Sequence, residues 1–176
     1  MNREFDVIIY GASGFTGRLV AEYMGSTYGR SINWAMAGRN TVKLAEVRDE
    51  IGASPETPLV TADADDLDSL RVMVKSAQCI CSTVGPYQLY GSELVRLCAE
   101  EGTHYVDLSG EPGWMHDMIA AHHETARASG ARIVHSCGFD SIPFDLGVYF
   151  LQQHAIKTTG EPKPRIRGRG RAGNGE

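Results

Sequence analysis

The chain has no apolar run long enough to span a bilayer, and its first ten residues, MNREFDVIIY, lack the apolar core of a signal peptide. A cytoplasmic protein is the expectation. Only four cysteines occur, Cys79, Cys81, Cys98 and Cys137, and none falls in a C-x-x-C or zinc-finger spacing. Reduced thiols follow from that usage. Net positive charge is missing too. A formal charge of −5 disfavours general nucleic-acid binding, because phosphate neutralisation needs a basic surface. Finally, none of the seven tyrosines has a lysine four residues later, which argues against reductases that place those two side chains on one helical face.

What is present describes a globular chain. Hydrophobic residues make up 42% against 22% charged, enough to bury a core, and 176 residues suit one domain with room for part of another. Apolar runs alternate with helical patterns. FDVIIY (Phe5 to Tyr10), NWAMAG (Asn33 to Gly38), PLVTAD (Pro58 to Asp63), CICSTV (Cys79 to Val84), HYVDLS (His104 to Ser109) and RIVHSC (Arg132 to Cys137) read as six strands.

Between them, Phe15, Leu19, Val20 and Tyr23 recur at helical spacing. Leu44, Val47 and Ile51 form a stripe capped by Thr41 and stopped by Gly52. Leu67, Leu70 and Val74 form another, and Leu94, Val95 and Cys98 a third that stops at Gly102. A helix from about Trp114 ends at Gly130. This rhythm predicts an α/β fold, a Rossmann-type doubly wound parallel sheet of about six strands. A further helix, about Pro143 to His154, completes a domain over residues 1–155. Residues 156–176 turn rich in Gly, Pro and Arg, with six basic residues against Glu161 and Glu176, and read as a linker or the start of a second domain.

The stretch YGASGFTG places Gly11, Gly14 and Gly17 where the first strand ends and the first helix begins. In a βαβ unit such glycines give a tight turn, close backbone approach to a pyrophosphate and close helix–strand packing. Ser13, Phe15 and Thr16 add a hydroxyl and backbone amides at the helix N-terminus. At the end of the second strand stands AGRN, with Gly38 where NAD sites carry an acid and Arg39 next to it. An arginine fork grips a 2′-phosphate that a carboxylate would repel, so NADP(H) is the favoured cofactor. Asp63 suits either the adenine amine or a helix cap. Thr83, Gly85 and Pro86, after the fourth strand, stand where backbone can approach the ribose.

For chemistry the sequence offers Tyr87, Asp107 with Glu111, and Asp140, together with His135 and Cys137, and does not rank them. A histidine inside a strand reads first as a satisfied core residue. His116 and His123, two helical turns apart, have no third ligand, so no metal site is expected.

The stretches YGASGFTGRL, AGRN, STVGPYQLYG, GTHYVDLSGE and SCGFDSIPFDLG together resemble the saccharopine dehydrogenase-like oxidoreductases, most closely the trans-acting enoyl reductase branch. The resemblance runs from about Asp6 to Leu151. It implies NADP(H) on Gly11, Ser13, Gly14, Phe15, Thr16, Gly17 and Arg39, with cofactor or substrate contacts around Gly85, Pro86 and Tyr87. It assigns no catalytic residue. It also implies a second, largely β domain that would begin where this chain stops. The expected partner is a small-molecule substrate, lipid-linked in the enoyl reductase reading, and homo-oligomerisation is left open. The alternative is a non-catalytic NADP-binding sensor or partner module.

Overall fold

The computed structural model describes residues 3–169. Six strands, β1 (Phe5–Tyr10), β2 (Trp34–Gly38), β3 (Leu59–Thr61), β4 (Ala77–Ser82), β5 (His104–Asp107) and β6 (Ile133–Val134), form one sheet. Their order is β3-β2-β1-β4-β5-β6, and every neighbouring pair is parallel. Parallel neighbours need crossovers. Helices α1 (Phe15–Thr27), α2 (Thr41–Glu50), α3 (Leu67–Ser76), α5 (Ser92–Glu101) and α6 (Pro112–Ser129) supply them, and α4 (Tyr87–Tyr90) is a single turn before α5. Chain order reverses at β1 and β4, so a crevice lies outside their carboxyl ends.

Two apolar clusters sandwich the sheet because successive strand residues face opposite ways. Ile8 joins Ile80, Tyr105, Leu70, Val74, Leu94 and Trp114 in the larger cluster. Its neighbour Ile9 joins Met36, Ala21, Met24, Leu44 and Val47 in the smaller. Each fully buried aliphatic side chain contributes roughly 1.5–3 kcal/mol. The amino end is tied down by Arg3, whose guanidinium donates to the carbonyls of Val74 (2.8 Å), Ala77 (2.9 Å) and Glu101 (2.5 Å) and to Thr103 Oγ1 (2.6 Å).

Local details depart from the sequence reading in four places. The cap of α2 is Asn40, whose Oδ1 accepts from the Lys43 amide at 3.0 Å, while the Thr41 hydroxyl pairs with that of Thr61. Asp66, rather than Asp63, caps α3 through Asp68 and Ser69. Leu67 is exposed, and Met73 takes its place beside Leu70 and Val74. The apolar stripe Phe15, Leu19 and Tyr23 faces outward, and α1 packs instead through Gly17, Ala21 and Met24. Small residues permit the close approach of α1 that the glycine loop requires.

The chain divides into two compact units between Cys137 and Gly138. In the second, α7 (Ile142–Thr159) runs past the predicted His154 and stops at Gly160, whose φ of +82° suits glycine. None of its residues is buried. Gln152 holds the following segment by donating to the Lys163 carbonyl and accepting from its amide, both at 2.8 Å. The end of the predicted linker, residues 170–176, lies outside the described residues. Among the described residues no helix is long and apolar enough to cross a membrane.

Candidate cofactor-binding site

The β1–α1 turn is built by backbone before any side chain is involved. The amides of Gly11 and Ala12 both donate to the Ala37 carbonyl, at 2.9 and 3.1 Å, and the Gly14 amide donates to Gly11. Gly11 has a φ of +89°, which glycine alone adopts without strain. Gly17 is closed off: a Cβ there would collide with the Gly11 carbonyl and lie 2.7 Å from Thr83 Oγ1. At Gly14 a Cβ would meet only the Gly11 carbonyl, at 3.3 Å, so its other side is free for a ligand to approach. No side chain caps α1, in contrast to Asn40 on α2 and Asp66 on α3. An N-terminus with free amides and a positive dipole end suits phosphate.

A groove of about 320 Å³ runs from this turn across the carboxyl ends of the strands. It brings together seven residues singled out in the sequence: Gly11, Ser13, Gly14, Arg39, Asp63, Thr83 and Gly85. Thr83 braces the turn, its amide and hydroxyl donating to the Tyr10 carbonyl at 2.9 and 3.0 Å. Arg39 is exposed and forms no ion pair among the described residues. One oxygen of Asp63 accepts from the Asp65 amide at 3.2 Å, a local turn rather than a helix cap.

Phe15, Thr16 and Gly17 form the first turn of α1. Phe15, 85% exposed, lines an adjoining cleft that shares Ser13 and Gly14 with the groove. Pro86 stands outside the groove lining, as the residue before α4. The sequence reading missed Tyr10, Asp65 and Tyr90, which also line the groove. The position of Tyr10 at the end of β1 was the available signal. Burial, then the nearby Asp63 carboxylate, pushes its phenol up to about 12, so it stands as a neutral hydroxyl.

The chemistry candidates fare differently. Tyr87 is buried, and its hydroxyl donates to the Ser82 carbonyl (3.1 Å) and accepts from the Leu108 amide (3.3 Å). Burial pushes it up to about 12 despite that amide. Both oxygens of Glu111 accept the first amides of α4, those of Tyr87 and Gln88, at 2.8 Å.

Asp107 is a buried hub. Its Oδ1 accepts from the amides of Ser109 (3.0 Å) and Ser136 (2.9 Å), and its Oδ2 pairs with His135 Nδ1 at 2.7 Å. Burial pushes the carboxyl up, but the bonds from His135, Ser109 and Ser136 outweigh it and hold the group below its ordinary value. This hub ends β5 and β6 early, and His135 follows β6 instead of lying within it. Asp140 is exposed and belongs to the second unit. Among the described residues no group of three metal-ligating side chains forms.

Comparison with known proteins agrees with this geometry. Residues 7–134 match the saccharopine dehydrogenase NADP binding domain. A Mycobacterium tuberculosis (strain ATCC 25618 / H37Rv) protein, provisionally named a trans-acting enoyl reductase, is 48% identical over 159 residues. The trans-acting enoyl reductase of Mycobacterium leprae (strain TN) is 45% identical over 161. In both cases the match covers 90% of this chain and 38% of the relative, so the chain spans well under half the length of these proteins.

The fold is similar to that of saccharopine dehydrogenase (L-Glu forming) from Saccharomyces cerevisiae, with a TM-score of 0.58 at 17% identity, covering 88% of this chain and 30% of that one. It is also similar to Citrobacter sp. triphenylmethane reductase complexed with NADP(H), with a TM-score of 0.54 at 15% identity, covering 74% and 48%. A phosphate-ready turn, an arginine in place of an acid and a match over most of the sheet converge. The chain belongs to the saccharopine dehydrogenase NADP-binding domain family.

Proposed function

We propose that the chain holds NADP(H) for an oxidoreductase that transfers a hydride to an activated double bond. The observation that carries this reading is the groove in which the glycine turn and Arg39 meet at the β1/β4 crevice. In it, the free amides at the start of α1 hold the pyrophosphate, with Gly11, Ser13, Gly14, Phe15, Thr16 and Gly17 shaping the approach. Arg39 takes the 2′-phosphate, Asp63 the adenine amine, and Thr83, Gly85 and Pro86 border the ribose.

When bound, NADPH supplies the hydride. The acceptor is an enoyl group, in preference to an imine or carbonyl, because the relatives at 44–48% identity carry the enoyl reductase name. A lipid-type carrier suits that substrate class. Tyr87 and Asp107 support the chemistry by fixing the carboxyl ends of β4 and β5, since their polar atoms are already committed to protein partners.

NADPH fluorescence titration followed by NADPH consumption with an enoyl thioester, an imine and a ketone tests the proposal. Saturable binding by the chain is the expected result, with consumption by the enoyl acceptor alone once the chain is joined to a segment matching the rest of its relatives' length. Binding without consumption by any acceptor would favour a non-catalytic NADP-binding module instead.

A further inference from the structure

A second cavity lies apart from the cofactor groove and shares no residue with it. It is about 240 Å³, bounded by Val95 of α5, by Met118, Ile119, His122 and Ala126 of α6, and by Ile133 and His135 at β6. Its walls are mostly aliphatic. Its mouth carries His123 and Arg127, both exposed, whose contacts with Glu124 are long, at 3.8 and 3.9 Å, and Glu124 does not line the cavity. A pair that exposed neutralises little of the arginine's charge.

The inner end holds an anomaly. The His135 side chain is only 8% exposed, and its Nδ1 is taken by Asp107. Its Nε2, across the ring from Asp107, is buried and has no hydrogen-bond partner among the described residues. Buried imidazole nitrogens are normally partnered. The ring is fixed on its other sides by Trp114 and Tyr105, whose centroids stand 5.1 and 5.8 Å away. The imidazole is therefore oriented with one nitrogen left over, and it forms part of the cavity wall.

We propose that this cavity binds a short aliphatic carboxylate. The hydrocarbon lies along Val95, Met118, Ile119 and Ile133, and the carboxylate accepts from His135 Nε2–H of the imidazolium, with Arg127 adding positive charge at the mouth. An imidazole that donates Nδ1–H to a carboxylate can offer Nε2–H only when doubly protonated. Nε2 itself is shielded, so the head group reaches it as a lining side chain turns aside. The cavity is smaller than the roughly 300–1,000 Å³ typical of pockets for drug-sized ligands, which favours a short chain.

Sodium octanoate and 1-octanol, titrated separately into the full 15N-labelled chain with saturating NADPH, test the proposal. Octanoate is expected to give saturable amide shifts confined to α5, α6 and the segment from β6 to His135, with a Kd of about 1 mM or tighter, and octanol is expected to bind at least tenfold more weakly. Ile119→Glu and Arg127→Glu alter exposed positions and should each weaken octanoate at least fivefold, while His135→Gln should abolish its preference over octanol. Equal binding of octanoate and octanol would overturn the proposal. So would shifts elsewhere, a non-saturable response, or full affinity in both acidic variants.

Discussion

Gly17 and Gly11 pack backbone against backbone, so closely that a Cβ on Gly17 would strike the Gly11 carbonyl and crowd Thr83 Oγ1 at 2.7 Å. Their contact joins the first turn of α1 to the end of β1 and sets where the free helix amides point. Gly17→Ala must push α1 away from the sheet. We expect a loss of about 1–3 kcal/mol in stability, as for other overpacked sites, with NADPH affinity falling at least tenfold. Thermal unfolding and fluorescence titration of the same preparation check both. Unchanged NADPH affinity in a folded variant would detach this contact from cofactor binding.

Asp107 and His135 give a prediction about acid. The folded Asp107 carboxyl ionises below its ordinary value of 3.8, so its contribution is fully present above that pH. It is lost as pH falls through the lower folded value. Asp107→Asn should be less stable at neutral pH, by about 2–3 kcal/mol, since the buried carboxylate accepts three hydrogen bonds that a neutral amide cannot all replace. It should also lose stability less steeply below about pH 4, where the unfolded wild-type carboxyl takes up its proton. Denaturant midpoints from pH 2 to 7 decide it. Parallel curves for the two proteins would contradict this reading.

Arg3 makes the opposite kind of prediction. Its guanidinium ties the start of β1 to the ends of α3 and α5, at the amino edge of the sheet and away from the groove. Arg3→Ala should cost about 2–3 kcal/mol, because several half-buried carbonyls lose a charged donor. NADPH affinity, measured below the lowered melting temperature, should stay within about twofold of wild type, as for sites with no shared partner. A tenfold loss of affinity would show that the two ends of the sheet are coupled.

Much of this was legible in the chain itself. The alternation of FDVIIY, NWAMAG and CICSTV with helical patterns gave the doubly wound sheet, because parallel strands buried on both faces read as continuous apolar runs. Seven of the eleven predicted cofactor positions meet in one groove because they follow strand ends, and strand ends are visible. What was hidden has a common cause. The buried face of α1 is Gly17, Ala21 and Met24, small residues that leave no apolar stripe, while Phe15 and Tyr23 supply a stripe that faces outward. The Asp107–His135 bond joins residues 28 apart in sequence, across two neighbouring strand ends, and no local pattern announces it. The choice of Asn40 over Thr41 as a cap is a one-residue matter that spacing does not resolve.

Arg39, at the end of β2 and with no ion pair among the described residues, is the residue we propose to select NADP(H). Fluorescence titration of NADPH and NADH against the wild type and Arg39→Glu tests it most directly. The wild type is expected to prefer NADPH, and the variant to lose about 10- to 100-fold in NADPH affinity, the worth of a charge-assisted contact, with NADH binding no weaker than before. Equal affinity of the wild type for the two nucleotides, or equal losses for both in the variant, would contradict it.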